Sequence, residues 1–524
     1  MKYQSELIKE IVEKRGHNLS SPHYESECVE SWIEEVKGAY PKLCDYESEW
    51  LNYINENPLG DFSYETVSVV SEATVDNVVP YAYKRAILSG KTLVNLINVK
   101  NATGGIDYTT KDLKLSYELP VGKYILFYDI IKANTSSGLG KPDRHTPIVT
   151  FNDDTKIYEG FDGFNTSKGK KYWIIDAQTP IVKVEYWLAN LAEDGAVDNL
   201  RLFAYQDGME NWDIPYFTGM QSVKTPVLKT TGKNLFNYDS LILNKYQNNE
   251  KYNYSIANNT LHAIYKLDVK ANTTYSLDIG KTGVFYDINN QPISWFYSNQ
   301  NPITTPNNCK YIIFNFKDYT TNDYSKAQIE ESSTTTEYEP YKSNILTINE
   351  DVELSGIDDV KDELNLLTGE LTQRIGEIVL DGSEKWNKTM NNASLPDRFV
   401  CDNLLNYSSY KEICDSFKTG QSYWSVDATG LYIGTNHKAV ISFKSGDERN
   451  NYTVAEFKQY LSENPITIQY QLATESVKTV ALTPLNKPYK GTNHYHLTTN
   501  IPCEAILEVP VVSTGKQTLE EINN

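Results

Sequence analysis

From Gly60 onward, apolar residues in this chain alternate with polar ones or collect in short runs, and they rarely recur every three or four positions. The stretch "YETVSVVSEATVDNVV" alternates or is β-branched. "GKYILFYDII", "KKYWIIDA", "PIVKVEYWLANL" and "NLRLFAYQ" are strand-length runs, divided by the turn clusters "NATGG", "NTSSGLGKPD" and "NTSKGK". A period of two buries one face of a strand, and Gly, Asn and Ser favour the turns between strands. Short strands at this density predict β-sandwich or jelly-roll modules. Only residues 1–57 read as helical. Leu7, Ile8, Ile11 and Val12 precede Gly16. Ser21-Pro22 opens a stripe of Cys28, Val29, Trp32, Ile33 and Val36, and a third stripe carries Leu43, Tyr46, Trp50, Leu51 and Ile54 up to Pro58. Three such helices can pack on each other or present a stripe to a partner.

A coarse repeat organises the β region. Asn-Leu-apolar-Asn occurs three times, at Asn95–Asn98, Asn234–Asn237 and Asn403–Asn406, at domain-sized spacing. "QIEESSTTTEYEPY" closes the second unit, and "IQYQLATESVKTVALTPL" stands near the end of the third. The expected fold is mainly β: serial β-sandwich or jelly-roll modules behind a small N-terminal helical segment. The expected boundaries are 1–57 helical attachment domain, 58–79 linker, 80–223 first jelly roll, 224–344 second, 345–384 connecting β-hairpin, 385–512 third sandwich and 513–524 polar tail. In the connector, helical spacing competes with a period-two run of Leu371, Gln373, Ile375, Glu377 and Val379. The Thr368-Gly369 and Asp381-Gly382 turn signals favour the hairpin.

Length and composition narrow the classes. A chain of 524 residues exceeds what one core usually supports. Its 39 Tyr and 4 Met suit twisted, half-buried sheets. A net charge of -20 leaves no basic footprint for phosphates, so a nucleic-acid partner is not expected. The six cysteines are sparse and lack zinc-ligand spacing, which reads as free thiols made in a reducing cytoplasm. Residues 1–20 hold no apolar core of a secretory signal, and no run is long enough to span a bilayer, so no membrane insertion is expected.

"VKDELNLLTGELTQRIGEIVLDGSEKW" (Val360–Trp386) resembles a stretch found in tail and baseplate proteins of phages infecting Gram-positive bacteria. The resemblance is carried by Asp362, Glu363, Thr368, Gly369, Thr372, Arg374, Ile375, Gly376, Leu380, Asp381, Gly382, Ser383, Glu384 and Trp386, and further by "TGKNLFN", "AQIEESSTTTEYEPY" and "YLSENPITIQYQLAT". It covers residues 223–509 well, 79–221 by texture and the helical start loosely. It implies an upper-baseplate or tail-fibre component with carbohydrate-binding-like jelly rolls, a homotrimer docked to other tail proteins by its N-terminal part. It also implies synthesis in the host bacterial cytoplasm, residence in the virion, and modules that face cell-surface polysaccharide.

Candidate chemistry is sparse. With 69 Asp plus Glu, paired carboxylates carry no information about glycoside hydrolysis. No Ser nucleophile elbow, phosphate-cradling loop or zincin pattern is present. A non-catalytic protein without cofactors is therefore expected; the competing expectation is a cell-wall or capsule depolymerase with accessory modules. In "ISWFYSNQN", an extended run would put Trp295, Tyr297 and Asn299 on one face, with Asn301 nearby, as a stacking platform with amides for sugar hydroxyls. Core packing is the alternative for Trp295, and Trp173, Trp187 and Trp424 read as core. His494 and His496 in "NHYHL" share a strand face; the alternative to plain surface histidines is a metal held on a trimer axis.

Overall fold

The computed structural model describes residues 62–512, apart from internal stretches of which the longest are 131–143, 160–168, 190–195, 249–255, 390–396 and 420–426. The helical segment expected at 1–57 and the polar tail at 513–524 lie outside the described residues. The described chain is mainly β, in antiparallel sheets, and its only α-helix among the described residues is Val454–Glu463. That helix starts on a capping box: the Thr453 side chain accepts from the Glu456 N–H, and the Glu456 carboxylate accepts from the Thr453 N–H.

The strands divide into one platform and three sandwiches. The platform is an 11-stranded sheet with the path Ser343–Leu346, Val227–Thr231, Gly491–Thr498, Glu72–Val78, Glu504–Val512, Arg85–Ser89, Glu363–Asn365, Glu370–Leu380, Ile466–Thr479 and Tyr407–Cys414. Phe62–Val69 pairs with Glu504–Val512 off that path, Phe62 opposite Val512. Its core joins Val69, Val75, Leu88, Leu228, Leu346, Leu364, Leu371, Leu497, Leu507 and Val509, residues from both ends and the middle of the chain.

The first sandwich packs the sheet of Gly169–Ala177, Gly122–Ile130, Ala196–Ala204 and Ala102–Thr103 on that of Thr109–Asp112, Ile181–Ala189, Arg144–Phe151 and Lys156–Tyr158. Leu126, Ile175 and Leu202 meet Val149, Val184 and Tyr186 between them. The second sets a five-stranded sheet (Ile242–Gln247, Ile256–Asp268, Tyr311–Lys317, Thr282–Tyr286, Pro292–Phe296) against a three-stranded one, around Phe236, Tyr265, Phe285, Phe314 and Phe316. The third builds its core from Phe399, Leu431, Ile441, Phe443, helix residues Phe457 and Leu461, and Leu380, Ile466 and Ile468 of two platform strands. Rings of Phe399 and Phe457 stack there at 3.9 Å and 12°.

These partners revise the expected boundaries. Within 58–79, expected as linker, Phe62–Val69 and Glu72–Val78 are strands, each paired with other platform strands. The 345–384 connector supplies platform strands, and residues 491–512, assigned to the third sandwich, pack into the platform instead. Periodicity identifies strands but carries no information about which distant strand each one meets. The modules are insertions. Thr92–Val94 pairs with Met220–Lys224 around the first, Val227–Thr231 with Ser343–Leu346 around the second, and Glu370–Leu380 with Ile466–Thr479 around the third. Each sandwich thus begins and ends on two adjacent antiparallel strands, platform strands for the second and third and, for the first, a pair in a separate three-stranded sheet with Glu353–Leu354.

In the first two modules the repeated tetrapeptide closes the loop of chain just beyond the stem. Asn95 is fully buried. Its Oδ1 accepts from the N–H groups of Ile97 (3.4 Å) and Leu202 (3.0 Å), and its Nδ2 donates to Phe217 O (2.8 Å). Asn234 does the same in the second module: Oδ1 accepts from Phe236 (2.9 Å) and Ile329 (3.2 Å), and Nδ2 donates to Ala327 O (3.2 Å) and Glu339 O (2.8 Å). Leu96 N–H to Leu202 O and Leu235 N–H to Ile329 O, both 2.8 Å, are also equivalent. The third copy, at 403–406, lies outside the described residues.

The connector motif is structural residue by residue. Buried Asp362 accepts from the N–H groups of Ser355, Arg374 and Ile375. Gly369, at φ 75, makes the turn between Glu363–Asn365 and Glu370–Leu380. A Cβ on Gly376 would meet the Tyr470 ring at 2.8 Å. The Glu384 carboxylate gathers the N–H groups of Asp381 and Gly382 and the Trp386 indole. Leu371 and Ile375 are buried as expected, but Val379 is 50% exposed, and it is the next residue, Leu380, that is buried in the third module's core. Where the first and third modules join the platform, Thr92, Ser222, Ser355 and Gln469 form a buried hydrogen-bonded knot.

Candidate functional site

Trp295 lies on the outer face of the five-stranded sheet, in the row Lys266–Ile313–Val284–Trp295 set by strand register. It packs half-buried against the cluster of Ile264, Val284, Tyr286, Tyr311 and Ile313. Its Nε1 is buried without a hydrogen-bond partner among the described residues. The middle of this face is closed by Gln247. The Gln247 backbone exchanges two hydrogen bonds with the Asn315 amide, and its side-chain carbonyl accepts from the Tyr286 hydroxyl. Tyr297 is 58% exposed, with its ring 6.4 Å from Trp295 at 62°. Asn299 lies outside the described residues. Asn301 is committed to the fold: its Oδ1 accepts from Leu277 N–H and its Nδ2 donates to Leu277 O. Of the expected platform, among the described residues, only Tyr297 and the open edge of Trp295 are placed to meet a ligand. Trp173, expected as core, packs partly buried against the first module's core.

His494 and His496 do share a strand face, but each Nδ1 is turned to a carboxylate, 3.4 Å from Glu331 and 3.4 Å from Glu72 respectively. Thr74 Oγ1 is 3.0 Å from the same His494 nitrogen, and Lys270 bridges to Glu331 at 3.0 Å. The His494 side chain is 12% exposed, in the seam between the platform and the second module. An imidazole serving a shared outer axis would stand clear of such cover. Among the described residues no group of three or more His, Cys, Asp and Glu is placed to hold a metal. Cys309, Cys401, Cys414 and Cys503 are buried free thiols; burial pushes Cys309 and Cys503 up to about 11, which keeps them protonated and inert.

An 800 Å³ groove opens where the first sandwich meets the platform. Its walls carry Tyr117, Pro120, Trp212 and Pro502, and its charged groups are Lys91, Lys361, Lys418, Asp358 and Glu504. Lys91 reaches it from the residue just before the Thr92–Val94 strand, and Trp212 from the turn after the module's last strand, Ala196–Ala204. The Lys91 ammonium sits 3.8 Å from the Trp212 ring centroid, a cation–π contact that fixes the charge at the groove wall. Burial, reinforced by the neighbouring Lys361 charge, pulls Lys91 down to about 8. The groove's volume falls within the range of small-ligand clefts. Sequence reading missed it because its residues come from seven separate segments. The one available signal was Trp212, an aromatic in "ENWDIPYFTG" outside any strand period. No family model matches the chain, and no curated protein matches it.

Proposed function

We propose that this chain is a non-catalytic tail or baseplate protein of a phage infecting Gram-positive bacteria, presenting its sandwich modules to cell-surface polysaccharide. The observation that carries the reading is the mounting of the modules. Each is inserted between two paired antiparallel strands, which for the second and third modules lie in the platform sheet and for the first lie in a small three-stranded sheet packed on the platform core, so force on a module passes through a hydrogen-bonded stem rather than a hinge. The sequence resemblance supplies the virion setting, with a homotrimer contacting other tail components as part of the same reading. Weak sites suffice in that setting, since several linked copies raise apparent affinity by roughly 10²–10⁴-fold when they engage together.

The stem geometry supplies the test. Thr231 lies directly opposite Ser343, so residues 232–342 can be replaced by a two-residue turn. Particles carrying the shortened chain should assemble and adsorb to host cells more slowly. Adsorption at the parental rate would reject the display role, and release of reducing ends from wall polysaccharide by the purified chain would reject the non-catalytic one.

A further inference from the structure

We propose that the groove between the first sandwich and the platform binds a sugar chain bearing anionic groups, phosphodiester or uronate, held by Lys91 and Lys361. The inference rests on the polysaccharide-binding reading and names the chemistry of its ligand. In a protein of net charge -20, this groove is lined by three lysines and two acids. Of the acids, Asp358 is exposed and Glu504 already accepts from Ser68 Oγ at 2.6 Å. The Lys91 ammonium is held on the Trp212 ring, and no ion pair joins Lys91 or Lys361 to a carboxylate among the described residues. Lys361 contributes its carbonyl to Arg374 and leaves its ammonium to the groove.

Two like charges in a partly desolvated cleft repel each other, and burial deepens the cost. An anion seated between them relieves both effects. Tyr117, Pro120 and Pro502 offer apolar surface for the faces of sugar rings beside it. Binding should therefore carry a proton signature. Lys91, drawn down to about 8 in the free protein, regains its ordinary basicity next to an anion. At pH 8 the complex takes up protons on forming, and at pH 6 it does not.

The experiment is calorimetric titration of the full chain with three oligomers of matched length: poly(glycerol phosphate), polygalacturonate and neutral dextran. At least one anionic oligomer should bind and dextran should not. The enthalpy should depend on buffer ionisation at pH 8 only. Lys91→Gln with Lys361→Gln should weaken binding at least tenfold at unchanged melting temperature, while exposed Lys114→Gln should not weaken it. Binding of poly(glycerol phosphate) alone identifies the phosphodiester class, and of polygalacturonate alone the uronate class. Failure of both to bind at millimolar concentration overturns the proposal. So does dextran binding that ignores the lysine changes, which would leave polysaccharide binding itself intact. Unchanged adsorption of module-deleted particles would fail the display reading whatever the groove binds.

Discussion

Replacing Asn234 by alanine tests whether the repeated asparagine is the clasp of its module. The amide is 2% exposed and makes four hydrogen bonds, two to N–H groups and two to carbonyls. Alanine strands the Phe236 and Ile329 N–H groups in the interior. A buried donor left without a partner costs about 1–3 kcal/mol, so the pair costs roughly 3–5 kcal/mol once partial hydration of the vacated space is allowed. A domain is stable by about 5–15 kcal/mol, so the change should open the second module selectively. Hydrogen exchange read by mass spectrometry should show lost protection around 234–237 and 327–341, with the first module unchanged. Urea unfolding should show the early transition of one module. Asn95→Ala should do the same to the first module, with a smaller effect because three bonds are lost there. A loss below about 1 kcal/mol with native exchange rates would refute the clasp.

Other outcomes follow from single contacts. A Cβ on Gly283 would lie 2.6 Å from Ile313 O and from the Phe296 ring, so Gly283→Ala should lower second-module stability by about 1–3 kcal/mol in urea unfolding. Burial pushes the Glu331 carboxyl up, but the His494 hydrogen bond and the Lys270 charge overcome it and hold the group below its ordinary 4.5. A depressed folded pKa stabilises above the unfolded value and loses that contribution as pH falls through the folded one. Stability should therefore drop below about pH 4.5, and Glu331→Gln should flatten that drop in pH-dependent urea titrations. Trp295→Ala should cost about 3 kcal/mol of second-module stability, whereas Tyr297→Ala, at 58% exposure, should leave the melting temperature within error. Removing Met1–Asn57 should leave the platform folded and abolish incorporation into particles; normal incorporation would reject the docking role.

Local features were readable from the chain, and non-local ones were not. The strand runs and the Thr368-Gly369 turn reflect neighbours within a few residues, which periodicity and turn chemistry capture; the asparagine repeat was legible as a recurring tetrapeptide, but the bonds it makes to distant residues such as Leu202 and Ile329 were not. The serial arrangement was misread where Phe62–Val69 meets Glu504–Val512, since two alternating strands look alike whether they pair with a neighbour or across the whole chain. The same blindness hid the groove: Lys91, Trp212 and Lys361 each look ordinary alone, and only pairing of distant strands converges them. Asn301 shows the opposite failure. An amide in a polar loop looks available to a ligand, and its commitment to the Leu277 backbone appears only in three dimensions.

The zipper between Phe62 and Val512 bears on how the polypeptide matures during translation. Glu504–Val512 leaves the ribosome long after Phe62–Val69, so no part of that ladder can form until synthesis has passed the later strand. The sandwiches, each closed by contacts within its own segment, can finish earlier. Truncated products would then carry well-formed outer lobes around an open, unpaired centre, and proteases would find their first cuts there.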